Sequence, residues 1–185
     1  MVIAVAPSYE RDTKPTLKGR CRMTEGVKYP SLRRNALKAI VAGGLIAGAL
    51  DLTQALFLFG RHVPLVIAAG LLGPQALHRG ASTYVLGVLL HFFIAFSAAA
   101  IYYTASRRLT FLIEYPLICG LFYGAAVELM MSYVILPISA LRERGPYELH
   151  DVLLGLLVHM VVIGLPISYS VRRFAIERAE GCFQK

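Results

Sequence analysis

Residues 84–103 are YVLGVLLHFFIAFSAAAIYY, a stretch with one histidine and no Asp, Glu, Lys or Arg. About 20 such residues are enough to cross a hydrocarbon core of about 30 Å as a helix. Residues 36–59, 116–136 and 152–171 form three further, predominantly apolar runs of about this length. In a chain of 185 residues that is 57% hydrophobic, these runs predict an all-α integral membrane protein, a four-helix bundle.

The segments outside the four runs are polar or contain proline and glycine. Residues 1–35 predict a disordered basic cytoplasmic tail, and residues 172–185 predict a second cytoplasmic tail. Met1 and Met23 are two candidate starts of translation. Between the first two spans, residues 63–77 are apolar but contain two prolines and are too short to cross. They predict an additional interfacial or re-entrant segment on the outer face.

Basic residues are distributed unequally between the two sides of the predicted membrane domain. Fifteen of the 19 Lys and Arg lie in the two tails, at the start of the first span and in the connection between the second and third. By the positive-inside rule, this asymmetry predicts that both termini are cytoplasmic. It also accounts for the net charge of +8, so the expected partner is the lipid bilayer and not nucleic acid.

Each predicted span contains an ionisable side chain near its middle: Asp51, His91, Glu128 and His159. Each lies about nine residues, or roughly 13 Å, from the outer end of its span. Placing such a group in hydrocarbon costs at least ~2.5–3.5 kcal/mol, so these residues usually face a bundle interior. Four of them at one depth predict an intramembrane polar layer, where any function should be sought.

The spans also repeat a pattern of small and polar residues. The first and third contain Gly-x-x-x-Gly before the carboxylate, at Gly44, Gly48, Gly120 and Gly124. The second and fourth contain Gly-x-x-x-His and end at an Arg-Arg pair. We interpret this as two copies of a two-span hairpin, related by an axis along the membrane normal. Because small residues let helices approach closely, the four glycines are predicted helix-packing residues.

Several functions are compatible with the polar layer. Carboxylates and histidines line the pathways of pumps and transporters, which favours handling of protons, ions or a very small solute. The layer could instead hold helices together in a structural or assembly subunit of a membrane complex, with a second copy or another subunit as partner. A third interpretation is a haem or transition-metal site with His91 and His159 as ligands. The motifs of soluble enzymes are absent, which argues against an enzyme.

Parts of four spans resemble a group of small bacterial four-span inner-membrane proteins of uncharacterised function. The similar stretches are GLIAGALD (residues 44–51), LHFFIA (90–95), ILPISA (135–140), LLVHM (156–160) and GLPIS (164–168). The resemblance extends over roughly residues 36–170. It implies a multi-pass protein of the bacterial inner membrane, and it implies no activity, cofactor or catalytic residue.

Overall fold

The computed structural model describes residues 29–142, 145 and 148–183, and these residues are mostly helical and include no strand. Four helices are long and apolar enough to cross a membrane. They are span 1 (Asn35–Phe59), span 2 (Ala81–Ser106), span 3 (Pro116–Ile138) and span 4 (Leu149–Phe174). A shorter apolar helix, Val63–Leu72, lies between spans 1 and 2. The predicted fold class, a four-helix membrane bundle with one additional short segment, is confirmed.

Eight α-helices occur in the part of the chain that the structure describes. They are α1 (Tyr29–Phe59), α2 (Val63–Leu72), α3 (Ala81–Ser106), α4 (Phe111–Glu114), α5 (Pro116–Met130), α6 (Leu136–Ile138), α7 (Leu149–His159) and α8 (Leu165–Phe183). A 3-10 turn, Pro74–His78, follows α2. Short π-helical segments join α5 to α6 and α7 to α8.

The first and last helices extend beyond the predicted spans. Helix α1 begins at Tyr29, within the predicted tail of residues 1–35, and Pro30 in its first turn breaks no helical hydrogen bond. Helix α8 continues to Phe183, through most of the predicted tail of residues 172–185. Residues 1–28 lie outside the described residues. The division into tails and membrane domain stays a prediction.

The four spans pack in the order 2–1–4–3, and α2 lies between the two outer members of this row. Span 1 contacts spans 2 and 4, and span 4 contacts span 3. The carbonyl of Pro64 in α2 packs against Gly87 of span 2, where a Cβ atom would not fit. The N–H of Ala140, just after span 3, donates to the carbonyl of Gly70 at 2.8 Å. Helix α2 therefore connects spans 2 and 3.

The outer surface of the bundle is apolar and the interior contains small residues. Large side chains such as Phe57, Phe93 and Phe122 are 85%, 68% and 73% exposed. The buried core contains many alanines together with a few larger residues, including Tyr102 and Ile167. Such extensive exposure of large apolar side chains is rare in a water-soluble protein and is expected where lipid covers the surface.

Spans 3 and 4 are each interrupted by a π-helical segment before the same tetrapeptide, Leu-Pro-Ile-Ser. The segments are Met131–Ile135 and Met160–Gly164. Proline lacks an N–H and clashes with the carbonyl four residues earlier, so the helix widens before it. In span 3 the N–H of Leu136 bonds to the carbonyl of Met131, five residues earlier. Both π-helical segments follow closely on the ionisable residue of their span, and such bulges are frequent at functional sites.

Candidate functional site

Glu128 of span 3 and His159 of span 4 form a close pair. The His159 Nδ1 atom lies 3.0 Å from Glu128 Oε2 and 3.0 Å from the carbonyl oxygen of Gly155. The hydroxyl of Ser132 donates a hydrogen bond of 2.9 Å to Glu128 Oε1. Both oxygens of this carboxylate therefore have a donor from the protein, and the pair joins spans 3 and 4.

Asp51 of span 1 and His91 of span 2 are neighbours without a direct hydrogen bond. The His91 Nε2 atom lies 2.9 Å from the carbonyl oxygen of Gly48, to which it can donate. It lies 3.9 Å from Asp51 Oδ2, which is too far for a hydrogen bond. Within the described residues, no group donates a hydrogen bond to Asp51. The Asp51 carboxylate is therefore incompletely satisfied, although its side chain is only 14% exposed.

Three of the four predicted layer residues line one cavity of about 470 Å³. Asp51, His91 and His159 form its polar part, and Glu128 lies behind His159. The remaining wall is almost entirely apolar and comes from α2 and spans 2 and 3, with contributions from Val63, Ile67, Leu90, Ile94, Met131 and Ile135. The cavity lies beside α2, which packs against span 2 and is hydrogen-bonded to Ala140, just after span 3. Both carboxylate–histidine pairs therefore reach the same internal space.

In the hairpin of spans 1 and 2, the predicted packing glycines face aromatic rings. A Cβ atom on Gly44 would meet Phe96, and one on Gly48 would meet Phe92 and an alanine. Phe92 follows His91 directly, and Phe96 lies five residues after it. Spans 1 and 2 thus cross with two phenylalanine side chains between their backbones.

In the hairpin of spans 3 and 4, the corresponding glycines face main-chain atoms. A Cβ atom on Gly120 would meet Ser168 and the carbonyl of Gly164, and one on Gly124 would meet the backbone of His159 and Met160. Gly164 follows His159 by five residues, as Phe96 follows its own histidine. The two crossings therefore use equivalent positions, but spans 3 and 4 meet backbone to backbone.

Some groups around the site were not anticipated from the sequence. Gly155 packs against the Glu128 carboxylate, and Ser132 bonds to it from one turn further along span 3. The four-residue spacing of Glu128 and Ser132 is a signal that could have identified this bond. Tyr102 and Tyr123 pack edge to face with ring centres 4.9 Å apart, linking spans 2 and 3. No sequence pattern indicates that contact.

The geometry offers little support for a bound metal. Among the residues that the structure describes, no group of three or more His, Cys, Asp or Glu side chains is arranged to hold a metal ion. His91 and His159 face the cavity, but one nitrogen of each lies at hydrogen-bond distance from a backbone carbonyl. Each could ligate only through its other nitrogen. The haem and metal interpretations stay predictions.

The chain matches no protein-family model, no curated protein and no solved structure. The resemblance to small bacterial four-span proteins therefore stays a prediction. The four apolar helices define the class of protein, which is a multi-pass membrane protein.

Proposed function

We propose that the protein handles protons or a small solute inside the membrane, at the cavity lined by Asp51, His91 and His159. The observation that carries this proposal is the cavity itself, with three titratable side chains in an otherwise apolar wall. A polar layer that only held helices together would need no such space. Carboxylates and histidines facing a shared cavity are typical of substrate and proton pathways in membrane proteins.

The two pairs are suited to passing protons. A histidine can accept a proton at one ring nitrogen while the other donates, and a carboxylate can hold a proton between transfers. His159 faces the cavity and contacts Glu128 at 3.0 Å, so it connects that carboxylate to the cavity. The wall around these groups is mostly apolar. Protons would therefore move between the paired groups and whatever occupies the cavity.

The size of the cavity favours a solute larger than an inorganic ion. Sites for small molecules typically measure about 300–1,000 Å³, and this cavity of about 470 Å³ falls in that range. Four closely packed helices alone would leave little room. Helix α2 supplies a further part of the cavity wall. A cavity of this size extends the sequence-based expectation, which was a proton, an ion or a very small solute, towards a larger solute.

A structural or assembly role is the second candidate, and the Glu128–His159 pair favours it. Protein groups satisfy both carboxylate oxygens of Glu128. Such a closed pair can hold two helices in register without any chemistry, as polar contacts between membrane helices often do. In that case, the protein would act through a second copy or another membrane subunit.

We also infer that the protein resides in a bacterial inner membrane with both ends in the cytoplasm, since most basic residues lie on one side. Cysteines introduced by Arg79→Cys and Gly145→Cys should react with a membrane-impermeant thiol reagent added to intact cells. Cys182 should stay unlabelled until the cells are opened. Labelling of Cys182 from outside would overturn this orientation.

The proton proposal is tested by flux into liposomes that contain the purified protein. Replacing His91 with Phe and Glu128 with Leu should leave the bundle folded and reduce acid-driven proton entry to the rate of empty liposomes. The control is His150→Gln with Asp151→Asn, a carboxylate–histidine pair that is 82% and 71% exposed and lies outside the cavity. That control should retain the parent flux. A folded His91/Glu128 variant with unchanged flux would show that the layer is not the functional site.

A further inference from the structure

We infer that the cavity binds a small apolar molecule that has a positively charged amine, and that the Asp51 carboxylate holds this amine. The inference rests on the proposed function, because it names the class of solute that the same cavity would accept. It follows from three features: the Asp51 carboxylate has no hydrogen-bond donor among the described residues, the cavity wall carries one carboxylate, and the rest of that wall is mostly apolar.

The Asp51 carboxylate accepts no hydrogen bond from the described residues. The nearest donor, His91 Nε2, lies 3.9 Å from Asp51 Oδ2 and is at hydrogen-bond distance, 2.9 Å, from the Gly48 carbonyl. Glu128, in contrast, receives bonds from both His159 and Ser132. The Asp51 carboxylate is accessible from the cavity, where an ammonium group would supply both a donor and an opposite charge.

The charge of the cavity wall selects a cation. Asp51 is the only carboxylate that lines the cavity among the described residues, and no Lys or Arg of that part of the chain lines it. His91 and His159 line the cavity too and are positive only when protonated, so an anionic solute would meet a negative carboxylate and no permanent positive charge. A cationic solute would meet one carboxylate with an open acceptor. Opposite charges attract strongly at such a site, because the apolar surroundings screen them weakly.

The chemistry of the wall selects an organic cation over a metal ion. Hard inorganic cations require six or more oxygen ligands, or a compact shell of water. Apart from the polar part at Asp51, His91 and His159, the wall consists mainly of aliphatic side chains, such as Val66 and Leu90. These side chains would contact a hydrocarbon group. A ligand with one charged amine and an apolar body therefore matches a cavity with one carboxylate and a mostly apolar wall.

The test compares two ligands of the same shape, adamantylamine and adamantanol, against the full chain in lipid nanodiscs. Equilibrium binding should favour the ammonium ligand by at least about tenfold, as expected for one charge-assisted contact. Asp51→Asn should remove this preference. Glu114→Gln, a carboxylate in α4 that does not line the cavity, should retain it. Ala55→Phe fills the cavity next to Asp51 while keeping the carboxylate, and it should weaken binding of both ligands.

Each outcome decides the inference. Equal affinity for the two ligands in the parent protein overturns it, and so does an Asp51→Asn protein that keeps the preference. Failure of both ligands to bind overturns it as well, even if the liposome assay shows proton flux, in which case the proposed function stands without this solute. If Asp51→Asn does not fold, the ligand preference of the parent and the weaker binding of both ligands to Ala55→Phe decide between the same outcomes.

Discussion

In the hairpin of spans 3 and 4 the carboxylate and the histidine bind each other, whereas in the hairpin of spans 1 and 2 they stand apart. Glu128 and His159 approach to 3.0 Å, while Asp51 and His91 remain 3.9 Å apart. The sequence pattern around the two pairs is nearly the same. One hairpin nevertheless forms a closed polar contact and the other leaves a carboxylate facing a cavity.

The residues opposite the glycines explain much of this difference. Gly124 meets the backbone of span 4, so spans 3 and 4 cross closely. Gly48 instead meets side-chain atoms of Phe92 and Ala95, so span 2 contributes side chains and not backbone to this contact. The aspartate is also one methylene shorter than the glutamate, and Asp51 follows its second glycine by three residues where Glu128 follows by four. Each of these factors reduces the reach of Asp51 towards its histidine.

The comparison shows that a repeated motif can support two different roles in one protein. A close helix crossing lets the protein satisfy its own carboxylate, which stabilises the contact between helices. In the other hairpin the carboxylate lines the cavity, and we propose that it is available to a ligand there. We therefore expect the hairpin of spans 3 and 4 to contribute more to stability, and the hairpin of spans 1 and 2 to contribute more to binding.

The largest effect on stability should come from adding a side-chain atom where spans 3 and 4 cross. Gly124→Ala places a Cβ atom against main-chain atoms that cannot move independently, so the free energy of unfolding should fall by about 1–3 kcal/mol or more. Gly44→Ala should cost less, because its Cβ would meet two Phe96 ring atoms and a single main-chain atom, the Phe96 Cα. Gly70→Ala is the control, since its Cβ would make only an ordinary contact at 3.8 Å. Detergent-induced unfolding measures all three, and equal losses at Gly124 and Gly44 would contradict the proposed difference between the crossings.

A smaller effect is expected in the coupling free energies of the two carboxylate–histidine pairs, which should differ. Double-mutant cycles with Glu128→Leu and His159→Phe should give a coupling free energy of about 1–2 kcal/mol, the upper range for hydrogen bonds between membrane helices. The same cycle for Asp51→Leu and His91→Phe should give less than about 0.5 kcal/mol, close to simple additivity. Both cycles are measured by unfolding in mixed micelles. Equal coupling free energies in the two hairpins would remove the distinction between them.

The smallest effect concerns the serine that supports only one of the carboxylates. Ser132→Ala removes the 2.9 Å hydrogen bond to Glu128 Oε1, and it should lower the free energy of unfolding by roughly 0.5–1 kcal/mol. Ser97→Ala serves as the control, because its hydroxyl bonds to the Phe93 carbonyl of its own helix and is exposed. Unfolding titrations should show almost no change for the control. An equal loss for both would show that the contact with Glu128 adds nothing specific.

Most of the fold could be predicted from the sequence, since run length and composition determine which segments can cross a bilayer. The four spans and the short apolar helix between the first two follow directly from this rule. The helix ends were less predictable, as α1 begins at Tyr29 and α8 continues to Phe183. Polar residues next to a span can continue a helix, so polarity alone does not locate its end.

The sequence by itself determined which side chains occupy the middle of each span and that glycines accompany them, because helical periodicity and burial cost act within one segment. It could not determine that Glu128 pairs with His159 while Asp51 is left open, or that α2 and the spans enclose a cavity. Those features depend on which residues of another helix, such as Phe92 or Gly164, face each glycine. Only the tertiary structure decides them, because distances between helices are set by contacts between residues that are far apart in the chain.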